Sequence, residues 1–281
     1  MKLIKTKAFA KINLALEVLY KRKDDFHEIN TIFCLIDLFD ELYFETSEKI
    51  SVVCEPDFGL QEKDNLVWKS AHLLKEFAKD DKLGVKIILK KNIPTGAGLG
   101  GGSSDAAATL VALSKVWNLD TSKQKLAEIG LMIGSDVPFF IYNGVQSATG
   151  RGEIFSKIDI NLNYYALIIY PNIHISTNWA YHSLNRNYDK RDGSDFTGYL
   201  LKNINEPQKW KYYLKNDFEK PVFEKYPEIS EIKEKLYEKN SFFSLLSGSG
   251  STVFGLFNNL QEGQEANKFL KNYKTYLCKV I

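Results

Sequence analysis

The 281-residue chain carries 37 Lys and Arg against 35 Asp and Glu, a formal net charge of +2, with 44% hydrophobic and 26% charged residues. That balance is that of a folded globular protein, leaves no bulk electrostatic case for nucleic acid, and includes no apolar stretch near the ~20 residues that span a bilayer. Residues 1–7 lack the apolar core of a signal peptide, and Cys34, Cys54 and Cys278 read as buried free thiols of a cytoplasmic protein, not as a disulfide framework or zinc site.

In chain order, Ala10, Ile12, Leu14, Leu16 and Val18 alternate with Lys11, Asn13 and Glu17, which predicts a half-buried strand. A polar turn at 21–25 leads to strand signals at 29–39 and 41–46. Asp64-Asn65 precedes a predicted helix over 66–77, and Val85 to Leu89 is a short β-branched run. An alanine-rich helix follows residue 105, with Ala106, Leu110, Leu113 and Trp117 at helical spacing. A second helix is predicted over 121–133, capped by Thr121 or Ser122 and ended near Gly134. Beyond about residue 155 the pattern restarts: strand 165–170, loop 171–177, short helix 178–184, and a polar stretch 186–195. A helical pattern over 217–239 is interrupted by Pro221 and Pro227; strands 242–246 and 253–257, a helix over 262–273 and a terminal strand 276–281 complete it. Strand, helix, strand, strand, helix, strand predicts an α+β sandwich. Two domains are expected, 1–155 and 156–281.

The most informative segment is Pro94-Thr95-Gly96-Ala97-Gly98-Leu99-Gly100-Gly101-Gly102-Ser103-Ser104-Asp105. So many glycines imply positive backbone φ or close approach of a ligand, and a loop that opens a helix can aim free N–H groups at an anion. Ser103 or Ser104 is expected to cap the helix, with Asp105 in its positive first turn. The pattern is not a P-loop, because no lysine follows the last glycine. It is not a dinucleotide loop either, since no second strand with a terminal acid follows. A protein-kinase glycine loop joins two strands and opens no helix. A phosphate cradle of another type remains, with a flexible linker as the bland alternative.

Three further places carry polar residues. Lys11 and Asn13 share one face of the first strand: either solvent-facing, or projecting into a cleft where Lys11 offsets phosphate charge and Asn13 bonds a substrate. Gly134-Ser135-Asp136-Val137-Pro138 offers Asp136 as a turn residue or, paired with a lysine, as the carboxylate that accepts a hydroxyl proton in phosphoryl transfer. The cluster Ser247-Gly248-Ser249-Gly250-Ser251-Thr252 is either a hairpin turn or a second phosphate-facing nest.

Together these segments resemble the galactokinase, homoserine kinase, mevalonate kinase and phosphomevalonate kinase (GHMP) superfamily. An N-terminal strand, a Pro-x-x-x-Gly-Leu-Gly-Gly-Gly-Ser-Ser loop and a C-terminal glycine loop occur in that order over nearly the whole chain. Ala10-Lys11-Ile12-Asn13-Leu14, Phe26-His27-Glu28-Ile29 and Gly134-Ser135-Asp136-Val137-Pro138-Phe139 are most similar to its branch that phosphorylates a cytidine-diphosphate-linked methylerythritol in non-mevalonate isoprenoid precursor biosynthesis. The resemblance implies a ribosomal-protein-S5-like N-terminal domain and a ferredoxin-like C-terminal sandwich. It implies ATP with Mg²⁺, a small-molecule cytidyl substrate, and a monomer or weak homodimer with neither nucleic-acid nor membrane partner. Lys11 and Asp136 would be the catalytic pair, Pro94 to Ser104 the ATP loop, with Asn65 near the nucleotide. His27 would hydrogen-bond the cytosine edge between Phe26 and Tyr181, Asn13 would contact substrate, and Gly248, Ser249 and Gly250 would form the second glycine loop. Ser103 or Ser104, with phosphate oxygens and water, would hold the metal, as no acidic ligand is evident. Position 26 departs from the family, which commonly has Tyr there; stacking survives and the hydroxyl is lost. Other readings are a homoserine or mevalonate type of kinase, or a nucleotide-binding regulator without catalysis. The Phe26-His27 pair argues against the first and the presence of Lys11 with Asp136 against the second.

Overall fold

A computed structural model describes residues 4–57, 59 and 61–281. The expectation drawn from residues 1–7 therefore lies partly outside the described residues. The chain is α+β and divides into two compact units, each assembled from separate segments: residues 1–10, 38–95 and 100–143, and residues 11–37, 96–99 and 144–281.

In the first unit the C-terminal half of strand β2 (His27–Thr46) pairs antiparallel with β4 (Val85–Lys90), and β4 pairs parallel with β3 (Ile50–Glu55). Parallel neighbours need a crossover, and α1 (Leu66–Ala78) supplies it, burying Val67, Ser70, Ala71 and Leu74 along one stripe. It lies against α2 (Gly101–Val116), which also packs on α4 (Val137–Tyr142) and α3 (Lys123–Leu131). Ser122 caps α3, accepting from the Lys125 N–H.

The start of α2 differs from expectation. Neither Ser103 nor Ser104 caps it; Gly100, at φ 70°, is the N-cap residue, and among the described residues no side-chain cap bond is made to the first turn. Both serines lie inside the helix, beyond the reach of the N–H groups ahead of them. The Ser104 hydroxyl donates instead to the Phe9 carbonyl at 2.6 Å. Asp105 falls in the second turn, not the first, and is buried.

In the second unit the N-terminal half of β2 pairs with β5 (Gln146–Thr149), which pairs with β6 (Ile154–Lys157). A separate antiparallel sheet runs in the order β10 (Lys274–Lys279), β7 (Tyr165–Tyr170), β9 (Val253–Phe257), β8 (Phe243–Leu246). In chain order that is last, first, third, second, the βαββαβ arrangement of a ferredoxin-like sandwich. Leu167, Ile169, Leu246, Val253 and Phe257 share one buried cluster with Ile229, Ile232 and Leu236 of α8 (Pro227–Glu238) and Ala266 of α9 (Leu260–Lys268). The opposite face buries Phe243 and Phe254, with Trp210 edge-on to Phe243 at 5.9 Å.

Pro221 stands in the first turn of α7 (Glu219–Lys225) and Pro227 begins α8, so the interrupted pattern marks two helices. A proline is tolerated there because the first-turn N–H has no intrahelical partner. Strand β1 (Ile4–Lys21) is buried on both faces from Ala10 to Leu19, not half-buried. Its polar residues are hydrogen-bonded within the protein: Glu17 accepts from the Ser194 N–H at 2.9 Å and from Lys215 at 3.0 Å. Cys34 and Cys278 are buried thiols, and burial pushes each up to about 12; Cys54 is half-buried.

Candidate active site

The second unit holds a network around two glycine segments. Gly96 and Gly98 have φ of 66° and 77°, Gly248 and Gly250 φ of 56° and 90°, the region where glycine carries no steric penalty. A β-carbon at Gly98 would collide with the Ser247 carbonyl, and the Ser247 hydroxyl donates to the Gly98 carbonyl at 2.9 Å. Residues 96–99 and 247–250 therefore approach backbone to backbone. The first strand joins them: the Lys11 N–H donates to the Leu99 carbonyl at 3.0 Å, and the Gly248 N–H donates to Asn13 Oδ1 at 3.0 Å.

Lys11 and Asn13 are buried, at 4% and 0% exposure, which excludes the solvent-facing alternative. The Lys11 ammonium donates to Asn13 Oδ1 at 2.5 Å, and Asn13 Nδ2 donates to Thr31 Oγ1 at 2.8 Å. Lys11 Nζ would also stand 3.6 Å from a β-carbon at Gly248. A buried ammonium is costly unless held by such acceptors, and its charge is strengthened by the same exclusion of water. Thr31 and Asn216 were not legible as site residues. Asn216 donates to both the Leu246 and Gly248 carbonyls at 2.8 Å, from a position far along the chain with no motif around it. His174 is a third: its Nδ1 would lie 3.3 Å from a β-carbon at Gly96.

Also in this unit, His27 and Tyr181 stack at 4.9 Å with rings 24° apart, and Tyr181 meets Phe218 edge-on at 4.9 Å. Burial, aided by Lys21, His182 and Arg186, lowers the His27 value below that of free histidine, so its ring is neutral at pH 7. Phe26 is half exposed, with the Arg151 guanidinium 4.5 Å from its ring centre. Tyr181 thus lies on His27, while Phe26 is half exposed and carries the Arg151 guanidinium over its ring.

The first unit presents the helix that follows the loop. Pro94 is buried, Thr95 exposed, and Gly100 turns the chain so that α2 begins at Gly101 with an uncapped first turn. Gly102 has Leu66 beside it, 3.3 Å from a would-be β-carbon, so the start of α1 adjoins the start of α2. Asn65 caps α1 by accepting the Val67 N–H at 2.9 Å. Asp136 is the half-buried N-cap residue of α4 and its side chain caps nothing. Gly134, at the head of that turn, lies near Ser103, whose Oγ would be 3.9 Å from a β-carbon there. Among the described residues no group of three or more His, Cys, Asp or Glu could hold a metal ion.

Family models for the GHMP kinases match twice: the N terminal domain over residues 65–144 and the C terminal domain over 200–275. The 4-diphosphocytidyl-2-C-methyl-D-erythritol kinase of Thermodesulfovibrio yellowstonii is 46% identical, over 98% of this chain and 96% of its own length. The chain belongs to the GHMP kinase family. The enzyme of the same name from Thermoanaerobacter pseudethanolicus is 43% identical over 99% of this chain and 95% of its own. Among solved structures, a 4-(cytidine 5'-diphospho)-2C-methyl-D-erythritol kinase superposes with a TM-score of 0.84 at 29% identity, covering 99% of both chains. The homoserine kinase of Cytophaga hutchinsonii shares the fold at a TM-score of 0.78 and 18% identity, over 100% of this chain and 98% of its own. As a GHMP kinase, the protein is an ATP-dependent small-molecule phosphotransferase.

Proposed function

We propose that this kinase transfers the γ-phosphoryl group of ATP to the 2-hydroxyl of 4-diphosphocytidyl-2-C-methyl-D-erythritol, in non-mevalonate isoprenoid precursor biosynthesis. The identity to the two kinases of that name, spread over whole chains, carries the reading. The residues support it: a neutral His27 offers one donor and one acceptor, the complement a cytosine edge needs. Phe26 and Tyr181 provide aromatic faces beside it, and a flat base is held by such faces through offset stacking.

Residues 94–104 are assigned to the ATP phosphates. The N–H groups of the α2 first turn and the positive end of that helix attract anionic oxygens, and Asn65 is assigned to the neighbourhood of the nucleotide. Gly248, Ser249 and Gly250 are assigned to support that loop, and Asn13 to hold Lys11 and contact the acceptor. Asp136 is assigned as the carboxylate that orients the hydroxyl and accepts its proton; Lys11 offsets negative charge on the transferring oxygens. The bond from the γ-phosphorus to the bridging oxygen breaks, a bond to the substrate oxygen forms, and ADP departs. Mg²⁺, when bound, offsets charge on the phosphates. Of the two serines, Ser104 is committed to the Phe9 carbonyl, so Ser103 is assigned to it. A hard cation that keeps much of its water suits so sparse a protein contribution. A cytoplasmic monomer or weak homodimer completes the reading.

Phosphate transfer measured on a panel of alcohols tests it. The cytidyl substrate should be turned over and homoserine and mevalonate should be inert; the reverse order sinks the assignment. Within the expected activity, Asp136→Ala should lower kcat by at least ~100-fold while ATP still binds, as loss of a general base does.

A further inference from the structure

Beneath the phosphate loop lies a cluster that neither substrate accounts for. Lys91, the residue after β4, places its ammonium 2.5 Å from Asp40 Oδ2 and 2.7 Å from Asp105 Oδ2. The three side chains are 8%, 0% and 4% exposed. Asp40 Oδ1 also accepts the Asn92 N–H at 2.5 Å and the Ile93 N–H at 2.9 Å, the last two N–H groups before Pro94. Asp105 belongs to α2, the helix the loop runs into. Gly101 closes the arrangement: a β-carbon there would lie 3.0 Å from the Ile93 side chain and 3.2 Å from Lys91 Nζ. The segment that leads into the loop and the helix that leaves it are thus tied through one buried ammonium.

We propose that Asp40, Lys91 and Asp105 are positioning residues for the phosphate loop, locking its two ends together and thereby setting ATP binding. The proposal rests on the reading of residues 94–104 as the ATP loop.

The charge balance of the triad gives it a distinctive signature. Two carboxylates against one ammonium would leave a buried net negative charge below a site for ATP. None of the described residues donates to Asp105 Oδ1, and a bare carboxylate oxygen in that setting is expensive. Burial pushes the Asp105 carboxyl up, to about 8; Lys91 opposes that shift and Asp40 adds to it. The groups facing it are Lys91 just after β4, Asp40 of β2 and, at longer range, the Cys54 thiol of β3. With Asp105 holding its proton, the cluster loses its excess negative charge. The native state binds the Asp105 proton more tightly than the unfolded chain does. Its stabilising contribution is complete below the ordinary aspartate value of 3.8 and is lost as pH rises toward about 8.

Full-length parent, Lys91→Met, Asp105→Asn and the paired Asp40→Asn/Lys91→Met protein test this, with KM for ATP and for the acceptor, ATP Kd by calorimetry, and Tm from pH 6 to 9. Lys91→Met should raise the ATP KM and Kd at least tenfold and leave the acceptor KM within twofold; the paired variant should recover part of that loss. Asp105→Asn, which imitates the protonated acid, should stay within threefold of the parent at pH 7. From pH 7 to 9 the parent's ATP KM should climb while that of Asp105→Asn stays flat. A fall in Tm with both KM values unchanged, or equal rises in both, would overturn the proposal. If Lys91→Met fails to fold, the pH series decides, and parallel curves for parent and Asp105→Asn count against it. A parent that binds no ATP would overturn the reading of the loop and the triad's role with it. A parent that binds ATP while the variants match it would overturn the triad alone.

Discussion

The two glycine-rich segments look alike in sequence and differ in how their hydrogen-bonding groups are used. Residues 94–104 lead into a helix whose first turn no side chain caps, so donors there stay available to an anion. Residues 247–252 join two strands, and most of their side-chain hydroxyls are bonded within the protein, while the buried Thr252 Oγ1 has no partner among the described residues. Ser247 Oγ donates to Gly98, the Gly248 N–H to Asn13, and Ser251 Oγ to the Ile173 carbonyl, while the Gly248 carbonyl accepts from Asn216. Ser249 Oγ lies 3.2 Å from Thr177 Oγ1. Glycine at position 100 turns the chain into α2, whereas Gly98 in the first segment and Gly248 in the second let one backbone lie against the other. A glycine count therefore measures close approach and says nothing of what approaches.

The strongest way to break that comparison is Gly98→Ala, which places a β-carbon against the Ser247 carbonyl at a positive φ. Overpacking and backbone strain together should cost on the order of 3 kcal/mol. A large drop in Tm is expected, with ATP turnover falling in the remaining folded protein; a Tm within 1 °C of the parent, as a rough limit, would show that the two segments can separate freely. Next in size is Asn216→Ala, which removes the donor to the Gly248 carbonyl of the second segment and to the Leu246 carbonyl at the end of β8, together with the acceptor of the Phe218 N–H. Leaving those buried carbonyls without their donor should cost roughly 2 kcal/mol, read by urea denaturation, while the ATP KM stays within about threefold. A tenfold rise in KM would instead make the second segment part of the binding surface.

Smaller effects separate the two serines. Ser104→Ala should lose about 1 kcal/mol with its bond to Phe9, and leave the Mg²⁺ dependence of turnover unchanged. Ser103→Ala should raise the Mg²⁺ concentration needed for half-maximal rate with little change in Tm. An interchange of those results would reassign the metal hydroxyl. The smallest effect is a control that neither segment should influence. His27→Ala should raise the acceptor KM and spare that of ATP, a ground-state contact. Because burial lowers the His27 value, the rise in the parent's acceptor KM as the ring gains its proton should come at a lower pH than that at which free histidine titrates. An inflection at 6.5 in the acceptor KM would remove the desolvated His27 from that role.

Much of the fold was legible because local signals agree with it: strands 85–89, 165–170 and 253–257, the helix after Asn65, and the break between α7 and α8. Where the reading failed, a tertiary contact had overridden a local rule. Asp40 looks like an interruption, yet β2 runs unbroken through it because Lys91 and two backbone N–H groups satisfy its carboxylate. Lys11, Asn13 and Glu17 look like a solvent face and are buried because each finds acceptors or donors inside the protein. Helix α6 (Phe196–Lys202) stayed unread inside a polar neighbourhood, although Asp195 caps it by accepting the Gly198 N–H. In the candidate site the glycine loop, Lys11, Asp136 and the Phe26-His27 pair could be picked out, since each sits in a recognisable local pattern. Thr31, His174 and Asn216 could not, because nothing near them in sequence marks them; Lys91, three residues before Pro94, could not because its partners Asp40 and Asp105 lie elsewhere along the chain.

The sequence by itself determined the superfamily, the positions of the glycine turns and the residue types suited to phosphoryl transfer, because these are set by backbone conformational preference and side-chain chemistry. Only the tertiary structure decided which glycines face free space and which face another backbone, and which serine commits its hydroxyl to a backbone carbonyl. It also decided that three residues as distant as Asp40, Lys91 and Asp105 share one buried charge cluster. The reason is physical: burial and hydrogen-bond partnership belong to neighbours in space, and those neighbours are far apart along the chain.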